Sequence, residues 1–331
     1  MKERFQAYRI YETNGIVSTQ VESLQLDDLS AGEVTVRVHY SSINYKDALA
    51  ATGKGKILRR SPLVGGIDLS GEVMASEDSR YRPGDLVLVT GCGLSETHDG
   101  GYAQVARVRG DWVVPLPSCL SIDDVMRIGT AGFSAALAID RMEANGQHPA
   151  QGPIVVTGAT GGVGSLAINM LAARGYQVTA LTGNADAHEY LRSIGAREIL
   201  GRHDFAWGER PLETALWAGA IDNVGGDVLA GLTRRIDFFG NIASIGLVSS
   251  ATLHTTVMPF ILRGVNLLGI NSVANSRELR LRIWDRLGAD LRPRDLNTIC
   301  PCAIPFSELP RALSEFLAVK RRGRTLVDMR C

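Results

Sequence analysis

Two rhythms of apolar and polar positions divide the chain. In Glu33–Tyr40 (EVTVRVHY) the apolar residues alternate with polar ones, which predicts a strand with one buried face. Asp85–Thr90 (DLVLVT) follows the turn signal Arg82-Pro83-Gly84, and Tyr102–Val108 is a further candidate strand. Short strands between glycine-rich turns predict a small β-barrel for the first third. Near Ser121 the pattern changes. Ile122–Asn145 has helical stretches interrupted by Gly129 and Gly132. Strands are then predicted at Ile154–Thr157, Tyr176–Leu181, Glu198–Leu200, Ala218–Asp222, Gly240–Ile245 and Val265–Ile270. Helices are predicted between them at Val163–Arg174, Ala185–Ile194 and Asp227–Arg235. That alternation predicts an α/β fold with a doubly wound parallel sheet. The tail has two amphipathic helices, Arg277–Leu287 and Ser307–Lys320, and a closing strand at Thr325–Met329. The expected division is therefore a discontinuous first domain, 1–122 with 274–331, and a second domain, 123–273.

A length of 331 residues suits two domains and leaves room for large cores. Lys plus Arg and Asp plus Glu each number 35, a balance that gives no ground for a nucleic-acid surface. No apolar run is long enough to span a bilayer, and Met1–Tyr11 carries no signal-peptide core, so a cytoplasmic location is expected. The cysteines are Cys92, Cys119, Cys300, Cys302 and Cys331, an odd set that suits a reducing compartment.

The strongest chemical signal is Val155–Gly164, VVTGATGGVG. Gly158, Gly161 and Gly164 follow a strand and open a helix. Such glycines allow a tight turn, close approach of the backbone to a pyrophosphate, and packing of helix on strand. The second predicted strand ends Thr182-Gly183-Asn184, with no carboxylate at the position, roughly twenty residues beyond the motif, where NAD-specific sites bind the ribose hydroxyls. A neutral tip accepts a 2′-phosphate, and Arg202 offers a cation, so NADPH is expected over NADH. The six histidines form no ligand array, no G-x-S-x-G elbow is present, and the lone Cys300-Pro-Cys302 pair is read as ordinary thiols. No metal is expected. Hydride chemistry carried by a cofactor fits this inventory.

Ser41–Gly55 (SSINYKDALAATGKG) resembles the corresponding segment of the quinone oxidoreductase-like branch of the medium-chain dehydrogenases/reductases, and more closely that of bacterial NADPH-dependent acryloyl-CoA reductases. The resemblance extends through Gly66–Val73 (GIDLSGEV), Arg107–Pro117 (RVRGDWVVPLP), Ile128–Ala135 (IGTAGFSA), the glycine motif, Ala220–Gly226 (AIDNVGG), Met258–Val273 (MPFILRGVNLLGINSV) and Gly323–Val327 (GRTLV). It covers nearly the whole chain. It implies a GroES-like β-barrel catalytic domain beside a Rossmann NADPH-binding domain. The branch is similar to zinc-binding alcohol dehydrogenases but lacks the metal. Asn44-Tyr45-Lys46-Asp47 and Gly66-Ile67-Asp68 stand where zinc ligands would be.

By resemblance, Tyr45 contacts the nicotinamide end, and Thr160, Gly161, Gly162 and Val163 hold the pyrophosphate. Thr182, Gly183 and Asn184 with Arg202 hold the adenosine phosphate, and Leu247, Ile261 and Ser272 line the nicotinamide pocket. The chain departs from the family in having Asn184 for Arg, Cys92 and Asp99 for Trp, Asn271 for Asp, and Ile245–Ser250 (IGLVSS) for CGLAGG. The implied reaction is NADPH-dependent reduction of a carbon–carbon double bond conjugated to a carbonyl, in an enoyl thioester or enone. Tyr45 is the candidate donor to the developing enolate and Asn44 a second one. Lys46 and Asp47 are read as structural or solvated, and Arg59, Arg60 and Arg263 as candidates for a CoA phosphate. Open alternatives are a quinone or alkenal reductase, a nicotinamide-dependent cyclising or tailoring enzyme, and a redox-inactive NADPH-binding protein. The apolar edge Val265–Ile270 pairs subunits in the resembled family, so a symmetric homodimer is expected.

Overall fold

A computed structural model of the chain describes residues 4–318 and 322–331. It opens on a hairpin of β1 (Phe5–Thr13) and β2 (Ile16–Leu24). Asn14 and Gly15 both take positive φ, 54° and 79°, the geometry of an Asn-Gly turn whose twist matches the flanking strands. Next come β3 (Val34–Ile43), α1 (Tyr45–Thr52), β4 (Leu63–Val64), β5 (Asp68–Ser76), β6 (Leu86–Thr90), β7 (Val105–Val108) and β8 (Val114–Pro115). α2 (Asp124–Ala144) leaves helical geometry once, at Gly129, with φ 53° and ψ −160°. Gly132, expected as a second interruption, stays helical, because a single glycine costs a helix only about 1 kcal/mol.

The alternating half follows as β9 (Ile154–Thr157), α3 (Gly162–Ala173), β10 (Val178–Thr182), α4 (His188–Ser193), β11 (Glu198–Gly201), β12 (Trp217–Asp222), α5 (Gly226–Arg235), β13 (Ile236–Ser244), α6 (Met258–Leu262) and β14 (Asn266–Gly269). The chain closes with α7 (Arg277–Gly288), α8 (Leu296–Ile299), β15 (Ala303–Pro305), α9 (Leu309–Phe316) and β16 (Thr325–Asp328). The helices expected at 185–194 and 307–320 each begin with a 3₁₀ turn, Ala185–Ala187 and Phe306–Glu308. The expected end of the latter, at Val319 and Lys320, lies outside the described residues.

The described chain forms two compact units. One comprises Met1–Thr130, Val273–Gly288 and Cys300–Cys331; the other comprises Ala131–Ser272 and Ala289–Ile299. In the first unit β3 is the hub. It pairs with β5 and β7 along its first half, and β16 takes over at Tyr40–Ile43 where β7 stops. Val34, Val36 and Val38 point into the core on one face of β3, while Arg37 is exposed on the other, as the alternation predicts. In the second unit six parallel strands lie in the order β11-β10-β9-β12-β13-β14. The order reverses between β9 and β12, and in open α/β sheets ligands bind beyond the carboxyl ends of the strands at such a point. β9, β10 and β12 are buried throughout, so they read as continuous apolar runs.

Candidate functional site

In the second unit the turn from β9 into α3 has a geometry that glycine alone supports. Gly158 has φ 57°. A Cβ on Gly164 would stand 2.4 Å from the Gly158 carbonyl oxygen and 2.8 Å from the Ala159 Cα, both backbone atoms with no room to yield. Thr160, Gly161, Gly162 and Val163 remain at least partly accessible at the helix start, where main-chain N–H groups have no partner within the helix. Backbone donors and helix dipole together suit a phosphate there. This cradle is a fit for a dinucleotide.

The adjoining strand end was only partly legible. Asp222, the last residue of β12, accepts hydrogen bonds from Thr157 Oγ1 (2.6 Å), Gly225 N (2.9 Å) and Val224 N (3.2 Å). Burial pushes its carboxyl above the ordinary range, and these bonds pull it back in part. Asn223 N donates to Thr157 Oγ1, and its Nδ2 donates to the Thr157 carbonyl. Its buried Oδ1 has no hydrogen-bond partner, an acceptor left beside the glycine turn. Both residues sit in the AIDNVGG segment, and an Asp followed by Asn and two glycines at a strand end is the signal that marks them.

At the tips of β10 and β11, Arg202 N donates to the Thr182 carbonyl at 2.8 Å. Asn184 is 9% exposed, and its N–H donates to Thr182 Oγ1. Gly183 is exposed, and a Cβ there would meet an Arg202 guanidinium nitrogen at 3.3 Å and His203 Nε2 at 3.4 Å. Gly158–Gly164, Thr182–Asn184 and Arg202 thus occupy the ends of the neighbouring strands β9, β10 and β11. Leu247 (65% exposed) follows β13, Ile261 (72%) lies on α6, and Ser272 follows β14.

Tyr45 and Asn44 belong to the first unit, where a buried polar network holds them. Asn44 caps α1 and Tyr45 is its first residue. Asp68 accepts from Ser42 Oγ (2.7 Å), Asn44 Nδ2 (2.8 Å) and Thr130 N (3.0 Å), and the Arg324 guanidinium stands 3.7 Å away. Arg324 also donates to Asn44 Oδ1 at 2.8 Å and to Ser42 Oγ at 2.7 Å. Asp47 accepts from Asn44 N, Asn44 Nδ2 and Ile67 N. Burial, and then repulsion from Asp68, push Asp47 up to about 7. Gly129 is what brings Thr130 N onto Asp68, since a Cβ there would strike Arg324, Asp68 and Ser42 within 2.9 Å.

Two expectations are corrected, one by this network and one by contacts in the second unit. Both ends of the Asn44 amide are committed, its oxygen to Arg324 and its nitrogen to Asp68 and Asp47, so no hydrogen is left for a substrate oxygen. Arg263 is unavailable to a phosphate, because it donates to the carbonyls of Arg234, Ile236 and Glu213. Tyr45, by contrast, is 44% exposed and its hydroxyl has no partner among the described residues. Lys46 pairs with Glu96 at 2.6 Å. Asp99 is buried and structural, accepting from Ser30 N, Ser30 Oγ and Val64 N. Among the described residues no three His, Cys, Asp or Glu side chains are grouped to hold a metal.

Two family models match in sequence order, the alcohol dehydrogenase GroES-like domain over residues 30–118 and the zinc-binding dehydrogenase model over 162–287. Acrylyl-CoA reductase AcuI from Ruegeria pomeroyi is 45% identical, over 96% of this chain and 96% of its own. The crystal structure of the yhdH oxidoreductase from Salmonella enterica in complex with NADP superposes with a TM-score of 0.94 at 47% identity, covering 98% of this chain and 99% of that one. Bacillus subtilis protein yhfP with NAD bound superposes at 0.96 with 43% identity, covering 99% of this chain and 100% of that one. Likeness of this degree along the whole length means that the chain belongs to the medium-chain dehydrogenase/reductase family, in its quinone oxidoreductase-like branch.

Proposed function

We propose that the protein reduces the conjugated carbon–carbon double bond of an enoyl thioester of the acryloyl-CoA type with NADPH. The glycine cradle of Gly158–Gly164 carries the cofactor half of this reading, because the positive φ of Gly158 and the absence of room for a Cβ at Gly164 set a tight turn that opens the N-terminus of α3. The relative that acts on acrylyl-CoA supplies the substrate half. The unit of Ala131–Ser272 and Ala289–Ile299 is the NADPH-binding one, and the unit of Met1–Thr130, Val273–Gly288 and Cys300–Cys331 the catalytic one; the expected division at 122/123 and 273/274 thus moves to Thr130/Ala131 and gives 289–299 to the cofactor unit.

Bound NADPH supplies the hydride for the β-carbon of the substrate, and solvent water supplies the proton that the α-carbon of the resulting enolate takes up. Main-chain donors at Thr160, Gly162 and Val163 hold the pyrophosphate, with Gly161 closing the turn by donating its N–H to the Gly158 carbonyl, and the orphan Asn223 Oδ1 accepts from a cofactor hydroxyl. Thr182, Gly183 and Asn184 with Arg202 receive the adenosine phosphate, and Leu247, Ile261 and Ser272 flank the nicotinamide. Tyr45 donates its free hydroxyl to the carbonyl oxygen as enolate charge develops there. Asn44 acts through Tyr45: locked between Arg324 and Asp68, it fixes the first turn of α1 and so the Tyr45 side chain.

The exposed edge strand β14, with Phe238 (61% exposed) and Phe239 (70%) on neighbouring β13, supports a symmetric homodimer, since apolar groups of this size rarely face water together in a monomer. Five free thiols support a cytoplasmic location. The test is NADPH oxidation against acryloyl-CoA, longer enoyl-CoAs, free enals and quinones, with product mass. Saturated acyl-CoA as the preferred product is expected. Preference for quinones or enals, a cyclised product, or binding without turnover would each overturn the substrate reading.

A further inference from the structure

Two basic side chains converge on the tip of β10, and only one of them has a role so far. The Arg202 guanidinium and His203 Nε2 are 3.4 Å apart, and both stand within 3.4 Å of where a Gly183 Cβ would be. Neither is tied to a carboxylate: no ion pair within 4 Å is formed by Arg202 or His203 among the described residues. His203 is exposed and Arg202 partly so. Asn184, by contrast, is turned in, neutral and buried. It stands where the resembled family has an arginine.

We infer that His203 is the second cation of the 2′-phosphate subsite, and that NADPH binding is coupled to proton uptake on its imidazole. The inference rests on the NADPH reading above. A neutral imidazole beside a guanidinium gains little by protonating, because two positive charges at 3.4 Å repel. A phosphate dianion that accepts from both on their shared outer side reverses this: it pairs with both and favours the charged ring. Imidazole is the side chain whose charge changes between pH 5 and 8, so the preference for NADPH over NADH falls as pH rises. The other titratable groups of these segments are Asp204, whose carboxylate approaches Gly201, and Asp186 and His188 after the tip of β10. Whatever these groups contribute is the same with NADH and with NADPH, whereas the dependence on the 2′-phosphate is specific to NADPH.

The test is the dissociation constant of NADPH and of NADH, read from nicotinamide fluorescence without turnover, between about pH 6.5 and 8.5. The phosphate's own second ionisation, near pH 6, is common to all variants and is removed by comparison with His203→Gln. Wild-type protein should lose roughly threefold to tenfold more NADPH affinity over this range than His203→Gln, the lower figure reflecting solvent exposure. NADH binding should be flat in both. His203→Arg should bind NADPH at least as tightly as wild type and lose the pH dependence. A His203→Gln profile matching wild type, with Arg202→Ala selectively weakening NADPH, overturns the role of His203 alone. Both variants binding NADPH like wild type overturns the placement of the phosphate and the inference with it.

Discussion

Asp47→Asn separates the ionisation of the buried network from its packing. Asp47 is 1% exposed, and its pKa stands at about 7 in place of 3.8. At about 1.4 kcal/mol per pH unit, the charged folded form is disfavoured by roughly 4 kcal/mol once the pH is well above 7. The folded pKa is the raised one, so the native state holds the extra proton. The stability it brings is complete below about pH 4 and is lost as pH rises through 7. From pH 5 to pH 8.5 the wild type should therefore lose about 2–3 kcal/mol through this group. The amide of Asp47→Asn cannot ionise, and it turns an N–H toward Asn44 N or Ile67 N, both donors. That mismatch costs about 1–3 kcal/mol at every pH. Urea unfolding of both proteins should give a stability difference that moves in the variant's favour by about 2–3 kcal/mol from pH 5 to 8.5. A protonated-carboxyl band in the infrared difference spectrum should titrate near pH 7 and vanish in the variant. A stability difference constant over that range, with no such band, would falsify the account of Asp47.

Gly164→Ala should weaken NADPH at least tenfold by titration, with a smaller loss of melting temperature, because its Cβ meets the Gly158 carbonyl at 2.4 Å and must deform the phosphate turn. Wild-type affinity would contradict the cradle. Tyr45→Phe should lower kcat by about a hundredfold or more and leave the cofactor dissociation constant within a factor of about two; an unchanged kcat would remove Tyr45 as the enolate donor. Phe238→Glu with Leu267→Glu should convert a dimer to a monomer at micromolar concentration by light scattering. A monomeric wild type would refute the proposed interface at once.

What the sequence disclosed depended on how local the information was. The glycine turn and the alternating strands were readable because spacing within ten residues sets them. The Asn14-Gly15 hairpin carried an equally local signal and was missed, since β2 is largely exposed and its apolar residues are sparse. The Asp68 network was invisible for a different reason. Ser42, Asp68, Thr130 and Arg324 are spread over more than two hundred positions, and only the pairing of β3 with β5 and β16 brings them together. Asn44 was misread on the same ground: an asparagine beside a candidate tyrosine suggests a donor, and nothing local says that its amide is consumed by a residue 280 positions away.

The two units solve one mechanical problem in the same way. Each places a buried aspartate at a strand terminus, Asp68 at the start of β5 and Asp222 at the end of β12, and each aspartate receives a main-chain N–H beside or at a positive-φ glycine. Asp68 takes Thr130 N next to Gly129, and Asp222 takes Gly225 N. A carboxylate can accept several such bonds at once, so it fixes a loop from the inside and leaves the outer surface free for a ligand. Fixing and contacting are thereby assigned to different residues. Substituting Asp68 or Asp222 strands several buried donors, each costing about 1–3 kcal/mol, a large share of the roughly 5–15 kcal/mol that holds a typical domain together. Tyr45 and Arg202 are partly exposed and hold no such cluster of donors. Changes there act on chemistry and cofactor choice with little effect on folding, which is why this scaffold can vary an outward residue such as His203 without disturbing the frame beneath it.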